Sequence, residues 1–312
     1  FEIAPYSDLA IYVRVFLPNQ VFVRTHQNKF SQALNFNFNQ WQNEKGFKKF
    51  ASHFYNQTSF LIERRIRRDG SNFDLNPFSK NDDELIGLNT NFRNSLFFNR
   101  GKQYHSTTYS FLINESQNLI NVLFDGNQNL ASVESISAKN QSHQVQYQHL
   151  VKKSWLFNFS GSTTSTESTS ENYPNRNFEI ESYQVEPKIG YLFSKNASWD
   201  IFYEFQQKEN QIGAFETLKQ TRLGTSFTFN SEKGFSMNGE FSMYNNSYDG
   251  NALSAVGFQM LEGLQPGKNQ TWRLLLQKNL TQYLDVNINY QGRNSETSKT
   301  IHTGNVQLRA FF

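Results

Sequence analysis

The sequence predicts an all-β protein: a closed antiparallel transmembrane β-barrel of about 14 strands, with short periplasmic turns and long extracellular loops. Three observations lead to this prediction. Apolar and polar residues alternate with a period of two along most of the chain, as in strands with one apolar face. Aromatic residues make up 16% of a chain whose mean hydropathy is only -0.66. Short and long connecting segments also alternate, which is typical of outer-membrane barrels.

The composition excludes several other classes of protein. Apolar runs are only a few residues long, so no helix of about 20 apolar residues can cross a bilayer. The chain contains no cysteine, which rules out disulfides and thiolate metal sites. Its 30 basic and 27 acidic residues nearly balance, so the charge shows no nucleic-acid footprint, and we expect no nucleic acid among its partners.

The alternation identifies individual strands. In the segment LDVNINY (284–290), Leu, Val, Ile and Tyr alternate with Asp and Asn. Each such segment is long enough to cross a bilayer as a tilted strand of about 9–11 residues. The first strand, near 9–17, is expected to close the barrel against the last. The predicted strands lie near 9–17, 33–41, 54–66, 85–98, 104–115, 142–151, 154–167, 183–193, 199–205, 214–230, 234–247, 270–280, 284–290 and 300–312.

The connections fall into two classes. An even number of strands with short turns at every second connection places both termini on the periplasmic side. The turn at 42–50 is longer than the others of its class. The short connections are expected near 99–103, 152–153, 194–197, 231–233 and 281–282. The long ones are expected near 18–29, 67–84, 116–141, 168–177, 248–269 and 293–299.

The polar faces of these strands predict the character of the lumen. Positive and negative residues occur there in similar number, and Phe202, Leu275 and Phe311 share that face. An open diffusion pore tends to separate the two signs of charge, whereas a filled barrel pairs them between neighbouring strands. The pattern therefore favours a narrow or plugged lumen. The charged residues assigned to the lumen are Glu63, Arg65, Arg93, Glu186, Lys188, Asp200, Glu204, Arg222, Glu240, Arg273, Asp285 and Arg309.

The chain ends on NVQLRAFF, a strand pattern that runs to the last residue. Val306, Leu308, Ala310 and Phe312 fall on the apolar side, so Phe312 is predicted to face lipid at the periplasmic end of the closing strand. A terminal aromatic residue on an amphipathic last strand resembles the β-signal of bacterial outer-membrane proteins. The resemblance implies that these four residues form an assembly signal, read by the barrel-assembly machinery during insertion.

A second resemblance covers the last quarter of the chain most clearly. The segments MLEGLQPGKNQTW, YLDVNINYQGR and IHTGNVQLRAFF resemble the carboxy-terminal barrel of large outer-membrane proteins of the Bacteroidota. The resemblance implies that residues 1–312 are a single barrel domain in the outer membrane of a Gram-negative bacterium. It also implies that this domain is the ordered C-terminal part of a longer chain. It brings no catalytic residues with it.

Two charged segments are candidate binding sites. In ERRIRR, Arg64, Arg67 and Arg68 lie where a strand emerges from the bilayer and are candidate contacts for lipopolysaccharide phosphates, since Arg suits bidentate phosphate binding. The alternative interpretation is that these arginines belong to a mixed-charge rim and do not bind lipopolysaccharide. The segment Asp69–Asp74, followed by Asp82, Asp83 and Glu84, has the oxygen ligands of a calcium loop, but its spacing differs from an EF-hand. A solvated acidic loop is the simpler interpretation.

The sequence offers no catalytic set. Its six histidines show no metal-ligand spacing, and only His26 and His143, both expected in loops, could serve a rim hydrolase. We therefore expect no enzyme activity and no catalytic, cofactor or metal site.

Two functions remain open. The first is a membrane anchor or scaffold subunit of a larger cell-envelope complex, such as one for outer-membrane protein assembly, secretion or surface export. The second is an outer-membrane channel or transporter for a small solute or lipid. The balanced interior charge favours the first. Expected partners are membrane lipid, lipopolysaccharide and other outer-membrane or periplasmic subunits.

Overall fold

The computed structural model describes residues 24–68, 76, 78, 85–101, 104–122, 132–231, 234–281 and 283–310. Within these ranges the chain forms one antiparallel sheet of 13 strands, each paired with its neighbours in sequence order. The predicted all-β antiparallel fold is therefore confirmed. The strands are β1 Thr25–Asn37, β2 Phe54–Arg67, β3 Leu85–Phe98, β4 His105–Val122, β5 Ser132–Val151, β6 Trp155–Ser170, β7 Phe178–Ser194, β8 Ala197–Asn210, β9 Thr217–Ser231, β10 Phe235–Asp249, β11 Gly267–Thr281, β12 Leu284–Ser295 and β13 Ile301–Ala310.

The described residues also form two short α-helices and two single-turn 3₁₀ helices, Asn39–Trp41 and Pro174–Arg176. Helix α1 (Phe47–Ala51) lies between β1 and β2, and helix α2 (Ala255–Leu261) lies between β10 and β11. Ser254 caps α2, because its hydroxyl accepts a hydrogen bond from the Gly257 amide at 2.9 Å. Neither helix has the length and apolarity that crossing a membrane would require.

The connections between strands separate into two ends of the sheet. At the turn end they are residues 38–53, 99–104, 152–154, 195–196, 232–234 and 282–283. At the loop end they are residues 68–84, 123–131, 171–177, 211–216, 250–266 and 296–300. Most turn-end connections are shorter than the loop-end ones, but 38–53 is long, and 99–104 is as long as 211–216 and longer than 296–300.

The strand register divides the sheet into two chemically different faces. The apolar face carries the even-numbered residues of β1–β3, the odd-numbered residues of β4–β10 and the even-numbered residues of β11–β13. The polar face carries the others. All twelve charged residues that the sequence assigned to one interior face lie together on the polar face, which confirms their predicted parity.

The apolar face is exposed rather than packed against a second layer. It presents large side chains on every strand, such as Phe36, Tyr147, Phe159, Ile189 and Leu308, each 40% or more exposed. The described residues form two buried apolar clusters, and both lie towards the loop end. The largest apolar surface of the described sheet is therefore exposed and not buried in a core.

Four expectations need correction or fall outside the described residues. The strand predicted near 33–41 is β1, which spans Thr25–Asn37 and includes part of the long connection predicted at 18–29. The predicted long loop at 116–141 is wrong, because β4 and β5 stay paired as far as Val122 and Ser132. Polar residues such as Gln117 and Ser135 continue this ladder, since backbone hydrogen bonds form a strand whatever its side chains. His26 and His143 lie in β1 and β5 and not in loops. The predicted strand at 9–17 lies outside the described residues.

The two edge strands of the described sheet are β1 and β13. Within the ranges given above, β1 pairs only with β2 and β13 pairs only with β12. Every residue of β13 is exposed. Within the described residues, β1 and β13 are thus each paired with a neighbouring strand on one side.

Candidate functional site

A charged network lies at the centre of the polar face. Arg222 on β9 donates to Glu240 on β10 at 2.5 Å and to Glu204 on β8 at 3.4 Å. Its guanidinium also lies 4.6 Å from the ring centroid of Phe202. The Arg222 and Glu204 side chains are largely buried, at 20% and 8% exposure. One arginine therefore holds two carboxylates from the flanking strands, as expected where like charges would otherwise face each other.

Further ion pairs continue along the same face. Lys188 on β7 lies 3.2 Å from Asp200 on β8, and Ser226 on β9 donates to the same carboxylate at 3.3 Å. At the other side of the sheet, Arg65 lies 3.1 Å from Glu63. Opposite charges are thus paired across or along neighbouring strands, which is the arrangement expected of a filled interior.

The connection between β10 and β11 folds back over the polar face. Helix α2 within it buries Val256, Met260 and Leu261 against Ile180 on β7 and Leu218 on β9. Ile180 and Leu218 are apolar residues of the polar face, and α2 covers both of them. We call residues 250–266 the inner loop, because apolar burial holds this segment against the polar face.

Side chains from distant strands fix the inner loop. Lys208 on β8 donates to Glu262 at 2.5 Å and to the Met260 carbonyl at 3.0 Å. Arg293 on β12 donates to the Gly263 carbonyl at 3.1 Å. Four strand spacings, about 19 Å along a sheet, separate these two strands. Because they reach consecutive residues of the loop, the polar face curves around it.

The end of α2 needs an unusual backbone to make these contacts. Glu262 and Gly263 both adopt positive φ, at 54° and 79°. Glycine tolerates this left-handed conformation at little cost, and such a turn is a common way to end a helix. The turn directs the Glu262 carboxylate towards Lys208 and the Gly263 carbonyl towards Arg293.

A pocket of about 500 Å³ lies beneath the inner loop, between it and strands β10–β13. Its size is in the range of small-molecule sites. Glu262, Gly263 and Leu264 form its loop side. On the strand side, the lining residues of the polar face are Glu240, Thr271, Arg273, Gln291, Arg293, Ile301 and Thr303.

Tyr248 supports the loop at the end of β10, beyond the apolar part of that strand. It packs against the cluster that contains Met260. Burial raises the pKa of the Tyr248 phenol, and the nearby Glu216 charge raises it further. The phenol therefore stays neutral through the physiological range.

The three candidate lipopolysaccharide residues occupy different environments. Arg64 is on the apolar face but only 2% exposed, and it donates to the Asn76 carbonyl at 2.6 Å. Arg67 and Arg68 are exposed at the loop end of β2. Arg67 and Arg68 thus lie exposed at the loop end of the sheet, whereas Arg64 is buried and contacts Asn76. Contact with lipopolysaccharide remains a prediction.

The C-terminal residues follow the predicted parity as far as they are described. Val306 and Leu308 are 65% and 66% exposed and pair with Ile288 and Val286 on β12. Ala310 shares their face. Phe311 and Phe312 lie outside the described residues, so the proposed assembly signal remains a prediction.

The histidines of the described strands contact aromatic residues. His143 stacks on Phe111 with ring centroids 4.5 Å apart and hydrogen-bonds Tyr109 at 2.8 Å. His302 hydrogen-bonds Tyr290 at 2.8 Å. In the part of the chain that the structure describes, no three His, Asp or Glu side chains group to hold a metal ion. The acidic residues Asp69–Asp74 and Asp82–Glu84 lie outside it.

Sequence reasoning missed the inner loop and its pocket. The segment 248–269 was expected to be an external loop, yet it carries a helix signal. Ser254 precedes Val256, Met260 and Leu261, a capping residue followed by apolar residues on one helical face. No sequence pattern indicates that this helix folds onto the polar face, because that depends on contacts with strands far away in the chain.

Comparison with known proteins leaves the family open. No family model matches the sequence, and no curated protein matches it. Solved structures similar to the chain include the transport unit of the autotransporter AIDA-I from Escherichia coli, at 9% identity. The match covers 96% of this chain and 93% of that chain with a TM-score of 0.29. A likeness of this size carries no information on what this chain binds or does.

Proposed function

We propose that the chain is an integral outer-membrane β-barrel that serves as a membrane anchor or scaffold subunit of a larger cell-envelope complex. The exposed apolar face is the observation that supports a location within the membrane. Soluble proteins rarely expose contiguous apolar patches of more than a few hundred Å². Here the apolar side chains extend over all 13 strands, while the twelve charged residues named above lie on the opposite face.

The dimensions of the apolar face fit a bilayer. On β7 the face is apolar from Tyr183 to Phe193 and becomes acidic at Glu181 and Glu179 towards the loop end. That apolar stretch is about 34 Å along the strand. A tilt of about 40° reduces it to a height of about 25 Å, the height of the apolar band of outer-membrane barrels.

The strand register supports the tilt. Residues that lie directly opposite one another on successive strands form a row across the sheet. One such row runs from Tyr191 on β7 to Tyr290 on β12 through Trp199, Phe227, Gly239 and Leu274. On β7, Tyr191 lies close to the turn-end limit of the apolar stretch. On β12, Tyr290 instead lies at the loop-end limit, since Gly292 and Asn294 follow it on that face. The apolar band therefore crosses the rows obliquely. Such a stagger is what closing a sheet into a barrel requires.

Closure is part of this proposal. A free sheet edge in hydrocarbon leaves backbone groups without hydrogen bonds, at a cost of several kcal/mol for each group. We propose that the segment near 9–17 supplies a further strand between β1 and β13. This would give the even number of about 14 strands.

Two features of the polar face favour an anchor over an open channel. The ion pairs around Arg222 and Asp200 leave few free charges to guide ions, and the inner loop lies across the face from β8 to β12. The pocket beneath that loop instead favours the second candidate function, a channel or transporter for a small solute or lipid.

Membrane extraction and bilayer recordings test the proposal. The chain, expressed behind an outer-membrane signal sequence, should resist carbonate extraction and sediment with the outer membrane. Purified protein in planar bilayers should show no steady conductance, while a variant with a short Gly-Ser linker in place of 251–263 should conduct. Carbonate-soluble protein would overturn the barrel. Wild-type conductance equal to that of the linker variant would overturn the anchor in favour of the channel.

A further inference from the structure

Four charged residues line the pocket beneath the inner loop. Glu240 and Glu262 are its acidic residues, and Arg273 and Arg293 are its basic ones. The formal charges of these four side chains sum to zero. The two carboxylates, however, form ion pairs with residues outside the pocket.

Both carboxylates pair with cations that do not line the pocket, although Glu240 shares Arg222 with Glu204. Glu240 accepts from Arg222 at 2.5 Å and from the Ser242 hydroxyl at 3.3 Å. Glu262 accepts from Lys208 at 2.5 Å. The Lys208 side chain is only 8% exposed, so this cation lies behind the loop and away from the pocket. The acidic residues of the pocket are thus already paired.

The two arginines have no such partners. Among the described residues neither Arg273 nor Arg293 forms an ion pair, and Arg293 donates to the neutral carbonyl of Gly263. Arg273 lies opposite Gln291 and Arg293 lies opposite Thr271, so the arginines are diagonal neighbours on β11 and β12. Diagonal neighbours of this kind are about 7–8 Å apart. Side chains as long as arginine can meet at this spacing, so both guanidinium groups can reach one anion.

We propose that this pocket binds a small organic anion through its phosphate or carboxylate group, held between Arg273 and Arg293. Guanidinium groups bind both oxyanions by two parallel charge-assisted hydrogen bonds. Thr271, Gln291 and Thr303 line the same pocket and can hydrogen-bond hydroxyl groups of the ligand. The combination fits a sugar phosphate or a sugar acid. The inner loop covers the site and contributes Gly263 and Leu264 to its wall.

Calorimetric titration of the purified full chain in detergent tests this site. The probes are glucose 6-phosphate, glucuronate and inorganic phosphate, with glucose as the neutral control. We expect saturable binding of at least one of the anions and none of glucose. Arg273→Gln and Arg293→Gln should each weaken that binding by about tenfold, the effect of losing one charge-assisted hydrogen-bond pair. Glucose 6-phosphate binding without glucuronate binding would assign the site to phosphates, and the reverse to carboxylates.

Arg93→Gln provides the matched control. Arg93 is exposed on the polar face of β3, so this variant loses the same charge away from the pocket. It should bind as the wild type does, and all three variants should keep the strand signal of the wild type in circular dichroism. No saturable anion binding by the wild type, or equal weakening by all three substitutions, would overturn the site. The titration measures binding in detergent, so its result is independent of whether the chain anchors a complex.

Discussion

The Nζ atom of Lys208 lies 2.5 Å from the Oε1 atom of Glu262, which joins the polar face of β8 to the last turn of α2. Lys208 is buried, whereas the Glu262 side chain is 66% exposed. A buried ammonium group without a partner is costly, so this pair and the Met260 carbonyl hold the lysine and the loop together. The contact explains why a surface connection stays folded against the sheet.

Lys208→Met should release the inner loop while the sheet stays folded. The substitution removes two hydrogen bonds from a charged group, worth about 1.5–3 kcal/mol each before solvent exposure of Glu262 reduces the gain. Amides of 255–264 should then exchange faster with deuterium, as followed by mass spectrometry, while those of β8 and β9 keep their protection. Lys219→Met is the control, since Lys219 is exposed on the opposite face. Unchanged exchange in Lys208→Met would show that apolar packing alone fixes the loop.

Gly224 on β9 should not tolerate alanine. The Phe202 ring lies directly over it, and a Cβ added at Gly224 would meet the Phe202 ring at 2.2 Å and the Ser242 hydroxyl at 2.9 Å. Because Phe202 also stacks with Arg222, its displacement would disturb the central ion network. Gly224→Ala should lower the free energy of unfolding by about 1–3 kcal/mol, as overpacking does. Urea unfolding in lipid vesicles measures the loss.

Gly239→Ala is the matched control for this change. Gly239 lies on β10, and its added Cβ would have only the Leu274 Cδ1 atom nearby, at 3.9 Å. This substitution should therefore leave the free energy of unfolding unchanged or raise it slightly, since alanine has less chain entropy to lose. A similar loss in both variants would mean that strand glycines matter for backbone reasons and not for the Phe202 contact.

Single-cysteine labelling should reveal the orientation of the sheet in the membrane. The chain has no cysteine of its own, so each introduced thiol reports alone. Leu253 in the inner loop is 92% exposed at the loop end, and Lys195 is exposed at the turn end. Leu253→Cys should react with an impermeant maleimide on intact cells, and Lys195→Cys only after the outer membrane is permeabilised. The opposite result would invert the proposed topology.

Removal of Phe312 should impair insertion more than stability. Burial of one phenylalanine contributes about 1.5–3 kcal/mol, which a fully paired barrel survives. Phe312→Ala should therefore leave less protein in the outer membrane, as measured by immunoblot, while the inserted fraction keeps its resistance to heat on gels. Phe193→Ala is the control, because Phe193 is an exposed aromatic residue at the turn end of β7. Equal membrane levels for both variants would contradict the assembly signal.

The sequence alone determined most of the described strands and their two faces, although β1 begins before the predicted 33–41. Alternation with a period of two is a local property, since successive side chains of a strand point to opposite sides. It correctly placed residues as far apart as Glu63 and Arg309 on one face. It was less accurate at the loop end, where β4 and β5 extend beyond the apolar stretch. In this part of β4 and β5 the residues no longer alternate between apolar and polar, whereas the backbone pairing continues.

Only the tertiary structure decided how the polar face is filled. The capping signal at Ser254 predicts a helix, but its inward fold depends on Ile180, Leu218 and Lys208, which lie on other strands. The pairing of Glu240 with Arg222, when Arg273 lies directly opposite it, is likewise invisible in the sequence. Such choices depend on distances between side chains that are remote in the chain. Local patterns fix which face a residue occupies, and packing across strands fixes which partner it binds.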